Sequence, residues 1–143
     1  MKSIEPQAER QISERELEVL SAALERSPCR PEASSLRSTA SSLRVVGQCQ
    51  CGCGSVSFSP VSAQEHPFIV ADAVADSAHG LIGVLVWALP SHIVELELYS
   101  LGAEPAEGWP ITGTVRPWEA GYAAQPSLPP DVPAAASRQQ GRG

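Results

Sequence analysis

The sequence lacks the motifs of several common functional classes. Lys2 is the only lysine, so the phosphate-binding loop G-x-x-x-x-G-K-[ST] is absent, and neither G-x-G-x-x-G nor the G-x-S-x-G nucleophile elbow occurs. The most apolar stretch, residues 81–89, has nine residues, whereas a membrane-spanning helix needs roughly 20. These absences exclude a P-loop nucleotide site, the serine-hydrolase elbow and a transmembrane helix in this sequence.

A secretory leader and a basic surface are also missing. Residues 1–6 run straight into a charged stretch without an apolar segment, so we expect a cytoplasmic protein with reduced cysteines. Residues 44–101 contain five acidic residues and only one basic residue, Arg44, within a chain of net charge −6. This charge disfavours a nucleic-acid partner. The acidic charge is compatible with binding to a basic protein partner. Alternatively, it only keeps the protein in solution.

The periodicity predicts an α+β fold in a single domain, with one or two N-terminal helices packed on a mainly antiparallel sheet. Ser13 and Glu16 form a capping-box pattern that starts the first helix, and a weaker serine-rich helix is predicted over 32–43. We expect a flexible N-terminus over 1–12, the domain over 13–102, a packed Pro/Trp-containing extension over 103–124 and a disordered Pro-rich tail over 125–143. Trp109 and Trp118 are interpreted as anchors of the extension.

Four segments have the pattern of strands: residues 56–59, 68–73, 81–88 and 93–99. The last two are predicted to form a hairpin around Pro90, with Leu85 and Leu96 in the core. In the last strand Glu95 and Glu97 alternate with apolar residues, so both carboxylates are expected on a solvated face rather than in an acid–base site. No catalytic residue is predicted.

The most unusual chemistry lies at Cys49, Cys51 and Cys53, which alternate with Gln50 and Gly52. In a continuous strand these thiols would form a solvent-facing row with Cα atoms roughly 6.6 Å apart. A turn at the neighbouring glycines would instead wrap the three sulfurs around one point, as in a chelating loop. Both alternatives remain open from the sequence.

A metal site at these cysteines would need further ligands. Structural zinc usually has four Cys or His ligands in two pairs, and here Cys29 and three isolated histidines, His66, His79 and His92, are the remaining candidates. Their sequence spacing from the three cysteines does not identify any one of them as the fourth ligand. Bound zinc, thiol redox chemistry, and buried or simply free cysteines are all open, and a disulfide between alternate cysteines of a strand would be strained.

Two resemblances accompany these motifs. Residues 51–58, Cys-Gly-Cys-Gly-Ser-Val-Ser-Phe, are similar to the C-x-C-G-x-V-x-[FY] entry motif of glutathione-dependent formaldehyde-activating enzymes, whose cysteines bind zinc. That family has further zinc cysteines downstream, and this chain has none after Cys53. Residues 14–101 resemble a group of small uncharacterised bacterial proteins with a Leu-rich helix, a Cys-Gly-Cys-Gly turn and a Leu-Glu-Leu-Tyr-Ser strand. That resemblance implies a fold but no activity.

The favoured interpretation is a non-enzymatic binding or protein-interaction module without a cofactor. The alternative is a zinc- or thiol-dependent protein that uses Cys49, Cys51 and Cys53. The sequence specifies neither the partner nor the oligomeric state.

Overall fold

The computed structural model describes residues 4–102 and 108–118 and has the predicted α+β architecture. Two helices contact one antiparallel sheet of seven strands, whose order is β1-β2-β3-β6-β5-β4-β7. The helices are α1 (Glu14–Glu25) and α2 (Arg30–Arg37). The strands are β1 (Glu5–Gln11), β2 (Arg44–Gln48), β3 (Val56–Ser57), β4 (Phe68–Ser77), β5 (Gly80–Leu89), β6 (His92–Ser100) and β7 (Arg116–Pro117).

Helix α1 begins where the capping box predicts. The Ser13 hydroxyl accepts a hydrogen bond from the Glu16 amide, and the Glu16 carboxylate accepts one from the Ser13 amide. The leucine face is then buried against the sheet, with Leu20 and Leu24 almost inaccessible to solvent. Local capping and apolar periodicity therefore agree on this element.

Residues 5–11, which the sequence assigns to a flexible N-terminus, form the edge strand β1 paired with β2. Arg10 holds this strand to α1, because its guanidinium donates two hydrogen bonds to the Glu16 carboxylate at 3.0 and 2.8 Å. The sequence prediction is wrong here because β1 has little apolar alternation and is defined by its pairing with a strand more than 30 residues away.

Helix α2 is shorter than predicted. It ends at Arg37, and the chain then forms a 3-10 turn, Ala40–Ser42, before β2 begins at Arg44. The Thr39 hydroxyl bonds to the Leu36 carbonyl, and such local serine and threonine bonds compete with a continuing helix.

The core lies between the helices and one face of the sheet. Leu96 and Leu98 of β6 are fully buried there, as their alternation predicts. Leu85 is not in the core: it pairs with Asp72 and Glu97 on the opposite face and is half-buried. The core side chains of β5 are instead Ile82, Val84, Val86 and Ala88. The continuous apolar run of β5 carries no alternation that could reveal its register.

A β-bulge opposite Trp87 and Ala88 also shifts the alternation in β6. Ile93 joins the core, and Glu95, expected in solvent, is only 2% exposed. Because a bulge inserts one extra residue into a strand, the facing rule inferred from sequence fails for Ile93 on its far side. Glu95 stays on the face of Glu97, and it is buried where β6 pairs with Ser57 of β3 and Trp87 of β5.

The segment after residue 108 packs along β4. The Ile111 amide donates to the Asp76 carbonyl, β7 pairs with β4, and Trp109 contacts the core. The remaining predictions for 103–107 and 119–143, including the Pro-rich tail, lie outside the described residues. Within 4–102 and 108–118, no helix has both the length and the apolar character needed to cross a membrane.

Candidate metal centre

The three alternate cysteines lie in the loop that joins β2 to β3. The base of this loop is closed by the Gln48–Val56 pair and by a hydrogen bond from the Cys49 amide to the Ser55 carbonyl at 2.9 Å. Gly52 and Gly54 both have φ of +88°, which only glycine adopts without strain. The chain therefore follows the looped alternative and not the continuous strand.

This loop gathers the three sulfur atoms. The Sγ atoms of Cys49, Cys51 and Cys53 all lie within 4.8 Å of one another, and the first two are 2.8 Å apart. Zinc binds thiolate sulfur at about 2.3 Å, so two sulfurs on one tetrahedral ion are about 3.8 Å apart. Small side-chain rotations would bring all three sulfurs to bonding distance of one ion.

The three thiols differ in their access to solvent. Cys51 is exposed, Cys49 is partly exposed, and Cys53 is only 5% exposed. Solvent would therefore reach an ion held by the loop from the side of Cys51, and Cys53 would bind it from the buried side. The arrangement combines a rigid inner thiol with an accessible outer one.

Cys53 is supported by a buried serine that connects the loop to β6. Its thiol donates to the Ser55 hydroxyl at 3.2 Å, and that hydroxyl in turn donates to the Leu98 carbonyl at 3.1 Å and accepts from the Leu98 amide at 2.8 Å. Ser55 is fully buried. Secondary contacts of this kind orient ligating side chains in metal sites.

Trp109 packs against the loop at Gly54. A Cβ atom built on Gly54 would lie 2.7 Å from Cζ3 of the indole, so only glycine fits beneath the ring. The Arg15 guanidinium stacks on the same indole at 4.4 Å from the ring centroid, a favourable cation–π distance. Helix α1 and the segment after residue 108 thus both support the loop.

The metal-free thiol of Cys49 is held in its protonated form. Burial raises the pKa of Cys49 to about 11, and the hydrogen bond with Cys51 acts in the same direction. Since metal ions bind thiolates, binding must displace protons from the loop. Metal affinity at this site should consequently rise with pH.

No fourth ligand joins the three cysteines among residues 4–102 and 108–118. No histidine or carboxylate of this part lies in the cluster, and Cys29 is exposed elsewhere, at the start of α2. His92 instead contacts the hydroxyls of Ser59 and Ser91. The histidines that the sequence left as candidates therefore do not complete the site.

Sequence reasoning missed the supporting residues Ser55 and Arg15, and it predicted Trp109 as an anchor of the extension but not its contact with the loop. The hydrogen bonds between Ser55 and Leu98 join residues 43 positions apart, and no local sequence pattern predicts such a pairing. Only the glycines beside the cysteines carried a readable signal, because glycine marks positions where the backbone can take positive φ.

The outer face of the sheet carries a second polar group, separate from the thiols. The Trp87 indole donates to the Glu97 carboxylate at 2.9 Å. Burial raises the pKa of nearby Tyr99, and the charges of Asp72 and Glu97 raise it further. These side chains link neighbouring strands, and none of them lies in the thiol cluster.

No protein-family model, curated protein or solved structure matches this chain. The two resemblances noted from the motifs therefore remain predictions.

Proposed function

We propose that this protein is a non-enzymatic zinc-binding module whose ligands are the thiolates of Cys49, Cys51 and Cys53. One observation carries the proposal: the three sulfurs lie within 4.8 Å of one another in a loop wrapped by two glycines of positive φ. Thiolates are soft ligands that favour zinc and copper(I) over magnesium or calcium.

The surroundings of the loop support a preorganised site. In the metal-free thiol form Cys53 is hydrogen-bonded to Ser55, and Trp109 covers Gly54. Preorganisation by packed neighbours lowers the entropy lost when ligands gather around an ion. We place the protein in the cytoplasm, where thiols are mostly reduced and disulfides are transient.

Three thiolates leave one position of a tetrahedral zinc ion open. In this proposal water occupies that position in the isolated protein, and a donor atom from a protein partner replaces it in a complex. The exposure of Cys51 supports this direction of approach. In this proposal the protein is an interaction module that binds its partner through the zinc site, so the two interpretations of the sequence are compatible.

Metal analysis of protein purified in reductant without chelator tests the proposal. We expect one zinc per chain. We expect Cys49→Ser, Cys51→Ser and Cys53→Ser each to reduce zinc affinity by more than the roughly 10–100-fold that changes to residues hydrogen-bonded to metal ligands cost. Cobalt substitution should give thiolate-to-cobalt charge-transfer absorption, which each serine variant weakens.

Cys29→Ser is the matched control, because Cys29 is an exposed thiol outside the loop. It should retain full zinc stoichiometry and the full cobalt spectrum. Reduced, folded protein that binds neither zinc nor cobalt would disprove the proposal. Binding that survives all three loop substitutions would place the metal elsewhere.

A further inference from the structure

Two of the three cysteines in the loop, Cys49 and Cys51, have their sulfur atoms in close contact. The sulfurs of Cys49 and Cys51 are 2.8 Å apart, which is shorter than an ordinary contact between unbonded sulfurs and longer than a disulfide bond of about 2.0 Å. Both side chains reach solvent, whereas Cys53 is buried and bonded to Ser55. The loop therefore contains a close, solvent-accessible pair and a buried inner thiol, which also interacts with Cys49.

The turn brings the sulfurs of two alternate residues close together. In an extended strand such cysteines are at the upper limit of the Cα separation that a disulfide spans. Here the chain turns through Gln50, Cys51 and Gly52, and the sulfurs already face each other. Forming the bond requires the two sulfurs to approach by less than 1 Å, roughly.

We infer that Cys49 and Cys51 form a reversible disulfide that excludes zinc from the loop, so that the thiol–disulfide balance controls metal occupancy. The metal-release part of this inference rests on the proposed function. A disulfide removes two of the three thiolate ligands at once, and the remaining thiol, Cys53, cannot hold zinc alone.

The oxidant is a low-molecular-weight disulfide such as oxidised glutathione. The thiolate of exposed Cys51 attacks one sulfur of the oxidant, whose S–S bond breaks and releases one thiolate. The Cys49 thiolate then attacks the Cys51 sulfur and releases the second thiolate. Two protein thiols are oxidised, one external disulfide is reduced to two thiols, and the two protons lost by the cysteines pass through solvent to those leaving groups.

The test uses the full chain in a Cys29→Ser background, which removes the exposed thiol outside the loop. Reduced, zinc-free protein is incubated in buffers of increasing oxidised-to-reduced glutathione ratio, quenched in acid and alkylated. Intact mass then counts the free thiols, and circular dichroism checks that each variant is folded. The same titration on zinc-loaded protein, with a colorimetric chelator, follows release of the metal.

We expect the three alkylatable thiols to fall to one, with loss of two hydrogen atoms and no bound glutathione. Adding Cys53→Ser should leave a protein whose two thiols fall to none, and Cys53→Ala replaces it if serine in the buried position destabilises the fold. Adding Cys49→Ser or Cys51→Ser should block the internal disulfide. Zinc-loaded protein should release one zinc per disulfide formed and regain it after reduction.

Other results would overturn the inference. Retention of three thiols, or persistent attachment of glutathione to Cys51, would show that the pair does not close. An internal disulfide that forms equally well in Cys49→Ser would assign the bond to Cys51 and Cys53. A disulfide that forms while zinc stays bound would disprove control of occupancy. Failure of the proposed function has a different signature, because reduced protein would then bind no zinc whether or not the disulfide forms.

Discussion

At the scale of single residues, the loop depends on where the chain can turn and on what lies above it. Gly52 and Gly54 share a φ of +88°, but they differ in their surroundings. A side chain at Gly52 would meet nothing within 4 Å, whereas one at Gly54 would meet the Trp109 indole at 2.7 Å. The two positions therefore separate backbone strain from steric exclusion.

Gly54→Ala should destabilise the protein by about 1–3 kcal/mol, because it adds a clash with Trp109 to the cost of positive φ. Gly52→Ala should cost about 1 kcal/mol from backbone strain alone. Gly113→Ala is the control, since that glycine lacks positive φ and has open space around its Cβ position. Urea denaturation measures all three, and equal stability of the Gly54 and Gly113 variants would contradict this account of the loop.

At the scale of elements, the polar contact between β1 and α1 predicts how stability changes with acid. Burial alone would raise the pKa of Glu16, but hydrogen bonds from Arg10 and Ser13 and the charge of Arg10 outweigh it and hold the pKa below its ordinary value. The native state therefore binds this proton less tightly than the unfolded chain. Its contribution to stability is present above the unfolded pKa and is lost as pH falls through the lower, folded pKa.

Glu16→Gln should lower the free energy of unfolding at pH 7 by about 1–3 kcal/mol, the usual value for hydrogen bonds to a charged group. It should also reduce the loss of stability as the pH falls below the ordinary pKa of a glutamate. Denaturation at several pH values measures both effects. Glu14→Gln, an exposed change in the same helical turn, should leave both nearly unchanged. A Glu16 variant with the wild-type acid profile would refute the assigned role.

The hairpin of β5 and β6 yields a second prediction at this scale. Leu96→Ala should cost about 2–5 kcal/mol because Leu96 is fully buried in the core. Leu85→Ala should cost clearly less, since Leu85 is half-buried on the opposite face beside Asp72 and Glu97. Guanidinium denaturation compares the two variants. Equal losses would mean that the register of β5 is wrong.

At the scale of the whole molecule, the loop is attached to the rest of the fold through β6, α1 and the segment after residue 108. A ligand that binds only the assembled loop must therefore stabilise the entire domain. The expected gain is about 2.7 kcal/mol at a free ligand concentration 100 times Kd.

Zinc at that concentration should raise the Tm of reduced protein by on the order of 10 °C, and a chelator should reverse the shift. Thermal scans followed by circular dichroism measure it. Magnesium should have no effect, because it prefers oxygen ligands. Cys51→Ser should show little of the zinc shift, and an equal shift in that variant would place the stabilising site outside the loop.

The sequence by itself determined the features whose causes are local. The capping box placed the start of α1, alternation placed Leu96 and Leu98 in the core, and the clustered cysteines with their glycines marked the candidate site. Each of these features depends on residues within a few positions of one another. The α+β class followed from the same local patterns.

Only the tertiary structure decided the features that depend on distant partners. Strand β1 exists through its pairing with β2, and Ser55 supports Cys53 through Leu98. At the cysteines the sequence allowed either a strand or a loop. The structure has the loop, in which Trp109 packs over Gly54. Contacts between residues more than 30 positions apart depend on how the whole chain folds, and no local periodicity encodes them.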